Sequence, residues 1–396
     1  MIYLDNNATT RTDPAVVDAM LPFFSQQFGN ASSSHAFGSD VAGAIRQARR
    51  SLQALLGAAV DHEIVFTSGG TESDNTAILS ALATQEGRDE IVTTAVEHPA
   101  VLTLVEQLAG RGIKTHLIAV DSCGRLDTES YRRALGPRTA IASVMWANNE
   151  TGTIFPVEFL AKMARAAGAL FHTDAVQAVG RVPIDLKGSE IDMLSLSGHK
   201  LHGPKGVGAL YLRKGTPFKP LISGGPQERR RRGGTENVPG IVGLGKAAEL
   251  AAAFLDEERV RVGALRDRLE QGVLRLGQCV ALGDIRNRLP NTANIAFAHL
   301  EGEAIVHRLN RAGIAASLGS ACSSGSMEPS HVLRAMNVPP ECLRGAVRFS
   351  LSRETTTDQI DRTVHELSDI VASLRAMSQE QAAPASHSFR STELIS

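Results

Sequence analysis

Met193-Leu194-Ser195-Leu196-Ser197-Gly198-His199-Lys200 is a short apolar run that ends on a lysine flanked by a hydroxyl, a glycine and an imidazole. The apolar residues read as a buried strand, which sets Lys200 at a strand end. A buried or cation-flanked amine loses proton affinity and becomes a nucleophile toward aldehydes. Ser197 and His199 can hydrogen-bond a phosphate. Pyridoxal phosphate carries both an aldehyde and a phosphate, so Lys200 is a candidate Schiff-base residue. Most lysines are solvated surface charges, and the tetrapeptide alone leaves that reading open.

Upstream, Ala169-Leu170-Phe171-His172-Thr173-Asp174-Ala175-Val176-Gln177 reads as a second buried strand, this one ending in an acid. Open α/β sheets place ligand groups at the carboxyl ends of their strands. A carboxylate at Asp174 would keep a pyridine nitrogen protonated, so that the ring accepts electrons released at a substrate's α-carbon. The same aspartate would also serve as a helix N-cap. Gln177, one turn on, can donate to the cofactor's phenolic oxygen.

Three more polar turns follow apolar runs. Phe66 to Asn75 places Gly69, Gly70 and Thr71 between a strand and a helix expected over Asn75–Ala83, a turn that aims N–H groups at an anion. Glu97-His98-Pro99 offers an imidazole that can lie flat on a pyridine ring. Asn148-Asn149-Glu150-Thr151-Gly152 offers Asn149 to a substrate carboxylate. Each reading has an ordinary rival: loop punctuation, a satisfied core histidine and a turn chosen for backbone geometry. The coincidence of all five segments at strand C-termini is stronger than any one of them.

Outward from these motifs, helical patterns such as Ser39–Leu56 alternate with β-rich runs at 64–66, 91–93, 114–120, 141–146 and 169–173. This βαβ rhythm predicts an α/β fold with a mostly parallel sheet, in a large domain over residues 14–250. A helical stretch over 242–276 reads as the hinge into a smaller α+β domain, formed by 1–13 plus 251–377, with strands at 294–297 and 347–351 and a closing helix over 357–377. Residues 378–396, rich in Gln, Ala, Ser and Pro, are expected to be a disordered tail.

The 396 residues carry 41 basic and 42 acidic side chains, a net charge of −1, so no global field recommends nucleic acid as a partner. The N-terminus lacks signal-peptide character and no run holds ~18 uninterrupted apolar residues, so neither secretion nor a membrane is expected and the location should be cytoplasmic. Cys123, Cys279, Cys322 and Cys342 lie far apart with no Cys-x-x-Cys pair, which argues against a disulfide framework or a tetrathiolate zinc site, and no intrinsic metal is expected.

Taken in order, Leu4–Thr10, Thr67–Asn75, Glu97–Pro99, Asn148–Gly152, His172–Gln177, Ser197–Lys200, Gly233-Gly234-Thr235 and Gly319-Ser320-Ala321-Cys322 resemble the fold-type I pyridoxal-phosphate enzymes. Within them, the chain resembles the cysteine desulfurases of the NifS/IscS class over nearly its whole length. The resemblance implies that Lys200 carries pyridoxal phosphate as an imine, that Asp174 pairs with the ring nitrogen and Gln177 with the phenolic oxygen, and that His98 stacks on the ring. It assigns the phosphate to Gly70, Thr71, Ser197 and His199, joined by Thr235 across a homodimer interface. It gives the carboxylate of L-cysteine to Asn149 and Arg348, and makes Cys322, in a loop of small residues, the thiol that takes the substrate sulfur as a persulfide.

The uninserted length from Ala316 to Met327 resembles members that hand sulfur to another protein. Runs such as 144–150, 180–186 and 288–294 resemble the nitrogen-fixation branch, which implies an iron-sulfur scaffold as acceptor, with the Cys322 persulfide touching a cluster only in passing. A housekeeping or tRNA-thiolation desulfurase and a selenocysteine lyase are the alternatives; a non-enzymatic pyridoxal-binding protein is disfavoured by the intact residue set. The run Arg229–Arg232 reads as a basic segment beside the interface or as plain solvated charge. Pro226 and Gly70 depart from common residues of relatives without removing a chemical group.

Overall fold

The structure is a computed structural model that describes residues 1–319 and 329–382. Its strands, in chain order, are β1 (Ile2–Tyr3), β2 (Ile64–Thr67), β3 (Glu90–Thr94), β4 (Lys114–Ile118), β5 (Thr139–Ser143), β6 (Leu170–Asp174), β7 (Met193–Ser197), β8 (Gly208–Leu212), β9 (Cys279–Leu282), β10 (Thr292–Phe297), β11 (Ile314–Ala315) and β12 (Ala346–Ser350). The central sheet has the order β2-β8-β7-β6-β5-β3-β4. Its β7-β6, β6-β5, β5-β3 and β3-β4 pairings are parallel. Only β8 runs against both neighbours. The expected mostly parallel α/β sheet is therefore present.

Burial of β2, β3 and β5 to β8 on both faces explains why they read as continuous apolar runs rather than as alternating ones. Strand order reverses beside β3 and β5, and such switch points open a crevice beyond the strands' carboxyl ends. β5 stops at Ser143, short of the expected Trp146, because the chain leaves the ladder there to enter the polar turn at 148–152.

The helix Ala36–Leu56 packs on the helix Val238–Glu257 at unusually short range: a Cβ at Gly245 would lie 2.5 Å from the Cα and Cβ of Ala48. Glycine at that position permits the contact. Pro239 at the helix start and the Asn237 side chain, which accepts the Gly240 N–H at 3.2 Å, begin this helix earlier than the expected residue 242. The helix passes through one π-type turn, Glu258–Val262, and continues as Gly263–Leu274, so the helical stretch expected over 242–276 is one rod with a wide turn inside it. Among the described residues this rod alone is long and apolar enough to cross a membrane, with a mean hydropathy of 1.4 over its most apolar 18 residues. Ile241, Leu244, Ala247 and Ala248 on it are buried in the main core.

After that rod, β9, β10 and β12 form an antiparallel sheet in the order β12-β10-β9, and β1 pairs in parallel with β11. A second apolar core joins Ile2 and Leu4 to Val262, Leu269, Phe297, Phe349 and Val371. β9, with Cys279 at its start, had no counterpart in the sequence reading, because it is short and half exposed. The closing helix spans Thr357–Ala382, so helical structure continues past Ser378 into the stretch expected to be a disordered tail. Residues 383–396 lie outside the described residues.

Candidate active site

The carboxyl ends of the central strands surround a cavity of about 540 Å³. Its wall includes Gly70, Thr71, His98, Asn149, Asp174, Gln177, Ser197, His199, Lys200 and Arg348, so ten of the twelve singled-out positions meet in one place. Thr235 is exposed and does not line the cavity, as suits a group expected to act across an interface. Cys322 lies outside the described residues.

Lys200 closes a single 3₁₀ turn, Gly198–Lys200, directly after β7. Its Nζ donates to the Ala8 carbonyl at 2.7 Å and to the Asn7 carbonyl. Asn7 and Ala8 therefore hold the amine from a segment nearly two hundred residues away in sequence. Asp174, the last residue of β6, is 7% exposed, and its Oδ1 accepts the Val176 N–H at 2.9 Å. Burial raises its pKa, opposed by the nearby His98 and Lys200. Gln177 Nε2 donates to the Asn7 carbonyl at 3.0 Å, and its Oε1 accepts from Arg181 Nη1 at 2.8 Å, which fixes the amide's orientation.

Gly70 and Thr71 open the helix Gly70–Thr84 right after the β2 strand end. That helix begins earlier than the expected residue 75, because the glycine turn supplies its first turn as well as its cap. A Cβ at Gly70 would sit 2.8 Å from Val176 Cγ2, so any side chain there would fill the cradle. The helix start, Thr71, Ser197 and His199 all line the cavity, and a helix N-terminus beside hydroxyls is an environment that favours an anion. His199 is lowered to about 4 by burial and by Lys200, so near neutral pH its imidazole is uncharged. Its Nδ1 lies 3.1 Å from Thr9 Oγ1. His98 caps the helix Pro99–Ala109, accepting the Ala100 N–H at 3.1 Å, and burial lowers its pKa too.

Opposite the lysine, Arg348 on β12 is 1% exposed. Its Nη2 donates to Asp5 Oδ1 at 2.8 Å, and its Nη1 to the carbonyls of Gly319 at 2.8 Å and Asn149 at 3.0 Å. Its Nε has no hydrogen-bond partner. A buried guanidinium N–H left unpaired beside a cavity is a ready donor to an anion. The residues thus fit pyridoxal phosphate and an amino acid: a strand-end amine, a buried acid, a phosphate cradle that only glycine leaves open, and an arginine with a donor to spare.

The cavity also contains residues to which the motif reading gave no role. Asn7, Asp74 and Glu150 lie inside quoted motifs, where their polarity was the available signal. Ser330, His331 and Arg334 had none: their segment is brought in across the fold, with His331 Nε2 3.0 Å from the Glu97 carbonyl. Ser330 donates to Glu150 Oε2 at 2.6 Å. The arginine run is tied to the structure: Glu228, just before it, is buried and bonds Arg49 at 2.6 and 2.8 Å, and Arg232 Nε donates to Glu72 Oε1 at 3.0 Å on the cradle helix.

Glu97 is fully buried between the Met145 N–H, at 3.0 and 3.1 Å, and the Thr94 hydroxyl, at 2.8 Å. Burial nevertheless lifts its pKa from 4.5 to about 8. The folded protein then keeps this proton over a window in which the unfolded chain has released it, so Glu97 costs stability as pH rises from 4.5 toward 8, and no more beyond. Glu97→Gln, which cannot ionise, should lose less stability than the parent between about pH 5 and pH 8, by an amount on the order of a few kcal/mol. Urea unfolding at the two pH values measures this, and an equal loss in both proteins would contradict it.

A family profile described as Aminotransferase class-V matches residues 2–363. A cysteine desulfurase of Bradyrhizobium diazoefficiens is 76% identical over 378 residues, 96% of this chain and 96% of that one. The cysteine desulfurase NifS of Azotobacter vinelandii is 61% identical over 378 residues, 95% of this chain and 94% of that one. Among solved structures, a NifS-like protein matches with a TM-score of 0.89 at 38% identity, over 94% of this chain and 100% of that one. Likeness of this depth through nearly the whole sequence means that the protein belongs to the class-V aminotransferase family, alongside members named cysteine desulfurases.

Proposed function

We propose that this protein is a cysteine desulfurase, which converts L-cysteine to L-alanine and keeps the sulfur as a persulfide on Cys322. Family membership implies use of pyridoxal phosphate. When bound, that cofactor supplies a ring that withdraws electrons from the substrate's α-carbon. The observation that carries the reading is the convergence of Lys200, Asp174 and the unpaired Arg348 Nε on one cavity, in a chain so similar to named desulfurases.

In this reading the Lys200 amine tethers the cofactor and then takes the α-proton. Asp174 holds the ring nitrogen's proton, Gln177 meets the phenolic oxygen and His98 lies against the ring. Gly70, Thr71, Ser197 and His199 bind the phosphate, with Thr235 of a second copy completing the cradle in a homodimer. Arg348 and Asn149 orient the substrate carboxylate. The Cys322 thiolate attacks the substrate sulfur, so a sulfur–sulfur bond forms as the carbon–sulfur bond breaks. The electron pair stays on carbon, where a proton makes alanine. An iron-sulfur scaffold protein is the proposed acceptor, in the cytoplasm. The NifS name of the Azotobacter relative supports nitrogenase maturation as the destination.

Mass spectrometry after incubation with L-cysteine tests this directly: the peptide containing Cys322 should gain one sulfur atom, removable by thiol, while alanine accumulates in equal amount. Alanine without that adduct would contradict the reading. Arg348→Lys should raise KM for L-cysteine by about 10- to 100-fold with a smaller change in kcat, because an ammonium cannot replace the guanidinium fork. A change confined to kcat would move the carboxylate site elsewhere.

A further inference from the structure

Beneath the cavity, on the cradle helix one turn beyond Gly70, Asp74 is 1% exposed, and its Oδ1 has no hydrogen-bond partner. Among the described residues the potential cation paired with that oxygen is His172, whose Nε2 lies 3.6 Å away. The separation would suit an ion pair, yet both ring nitrogens of His172 are already taken, by Ser143 Oγ at 2.8 Å and Ser195 Oγ at 2.9 Å. His172 is wholly buried and lowered to about 3, so it offers Asp74 no charge. Among the described residues the acids that face Asp74 are Asp174 and, beyond it, Glu97, which itself keeps its proton near neutral pH.

Asp174 differs in its surroundings. It accepts a backbone N–H and faces Lys200 and His98 across the cavity. Two buried carboxylates on the wall of one cavity cannot both ionise cheaply, and the charge settles where donors and cations are. An unpaired oxygen is also far less costly on a neutral acid than on an anion.

We infer that Asp74 is the proton-carrying member of the Asp74–Asp174 pair and, as a neutral acid, positions Asp174 as the single anion offered to the cofactor ring. This makes Asp74 a positioning residue that acts through Asp174. The inference rests on the reading of the cavity as a pyridoxal-phosphate site for its consequence, but not for the protonation itself.

Infrared difference spectra of the full-length protein at neutral pH, parent minus Asp74→Asn, test it. The expected result is loss of a carbonyl stretch of a protonated carboxylic acid in the variant. Loss of a carboxylate band instead would show Asp74 ionised and overturn the proposal. Should the variant not fold, carboxyl-¹³C aspartate labelling of the parent serves: a protonated-acid band must shift with the label, and its failure to do so also overturns the proposal. The positioning role has its own readout. Asp74→Asn should keep the bound cofactor's visible band and its pH titration, with Kd for pyridoxal phosphate within about twofold. Asp74→Leu, which has no polar group to set beside Asp174, should weaken Kd about tenfold, the scale of one lost polar interaction. An equal loss in both variants would reduce Asp74 to a structural residue. A protein that passes the infrared test but binds no pyridoxal phosphate would refute the cofactor reading alone.

Discussion

Lys200→Ala is expected to cut alanine formation from L-cysteine by about 10⁴-fold or more, since it removes both the covalent tether and the base that takes the α-proton. The amine is held by the Asn7 and Ala8 carbonyls at the end of a strand that is buried throughout, so its removal leaves the sheet intact. Loss of activity should therefore come without loss of fold, which circular dichroism and thermal unfolding check. Borohydride treatment separates the two roles. In the parent it should attach the cofactor covalently to the peptide containing residue 200, and in the variant to no peptide. Turnover within tenfold of the parent, or covalent fixation at another lysine, would displace Lys200 from the centre of the chemistry.

Cys322→Ala should lower alanine and sulfide formation from L-cysteine by about 10³-fold or more, because the substrate's carbon–sulfur bond then has no nucleophile to receive its sulfur. An ordinary thiol with a pKa near 8.5 is only a few per cent thiolate at neutral pH, so the site must activate it. The other cysteines make poor substitutes. Burial raises the pKa of both Cys279 and Cys342, and neither they nor Cys123 line the cavity. Their single replacement by Ala should leave turnover within about twofold. Selenocysteine distinguishes the rival activity, since selenolate departs without help from an enzyme thiol. Cys322→Ala should keep cleaving selenocysteine while losing cysteine. Undiminished turnover of cysteine would exclude the persulfide route.

Local chemistry made much of this legible before any fold was known. Each strand-end motif sits within ten residues of the apolar run that positions it, and a buried strand announces itself by continuous apolar residues whatever its neighbours are. Asp174 at the end of β6 and Lys200 just after β7 were therefore readable as cavity residues. Arg348 and Cys322 were assigned only by resemblance, for nothing in their immediate sequence signals a substrate carboxylate or a persulfide. Element limits were less legible. The helices that begin at Gly70 rather than 75 and at Val238 rather than 242 reflect packing and capping that outweigh local pattern.

The amino-acid order thus settled the kinds of chemistry available and their attachment to strand ends, because hydrophobic pattern and turn chemistry act over a few residues. Tertiary structure alone decided who meets whom. It brought Asn7 to Lys200, Asp5 to Arg348 across 343 positions, and His331 to the Glu97 carbonyl across 234. It also brought two buried aspartates, a hundred residues apart in sequence, to the wall of one cavity. Charge coupling and desolvation depend on distances through space and on the exclusion of water, and neither quantity exists until the chain has closed around the cavity.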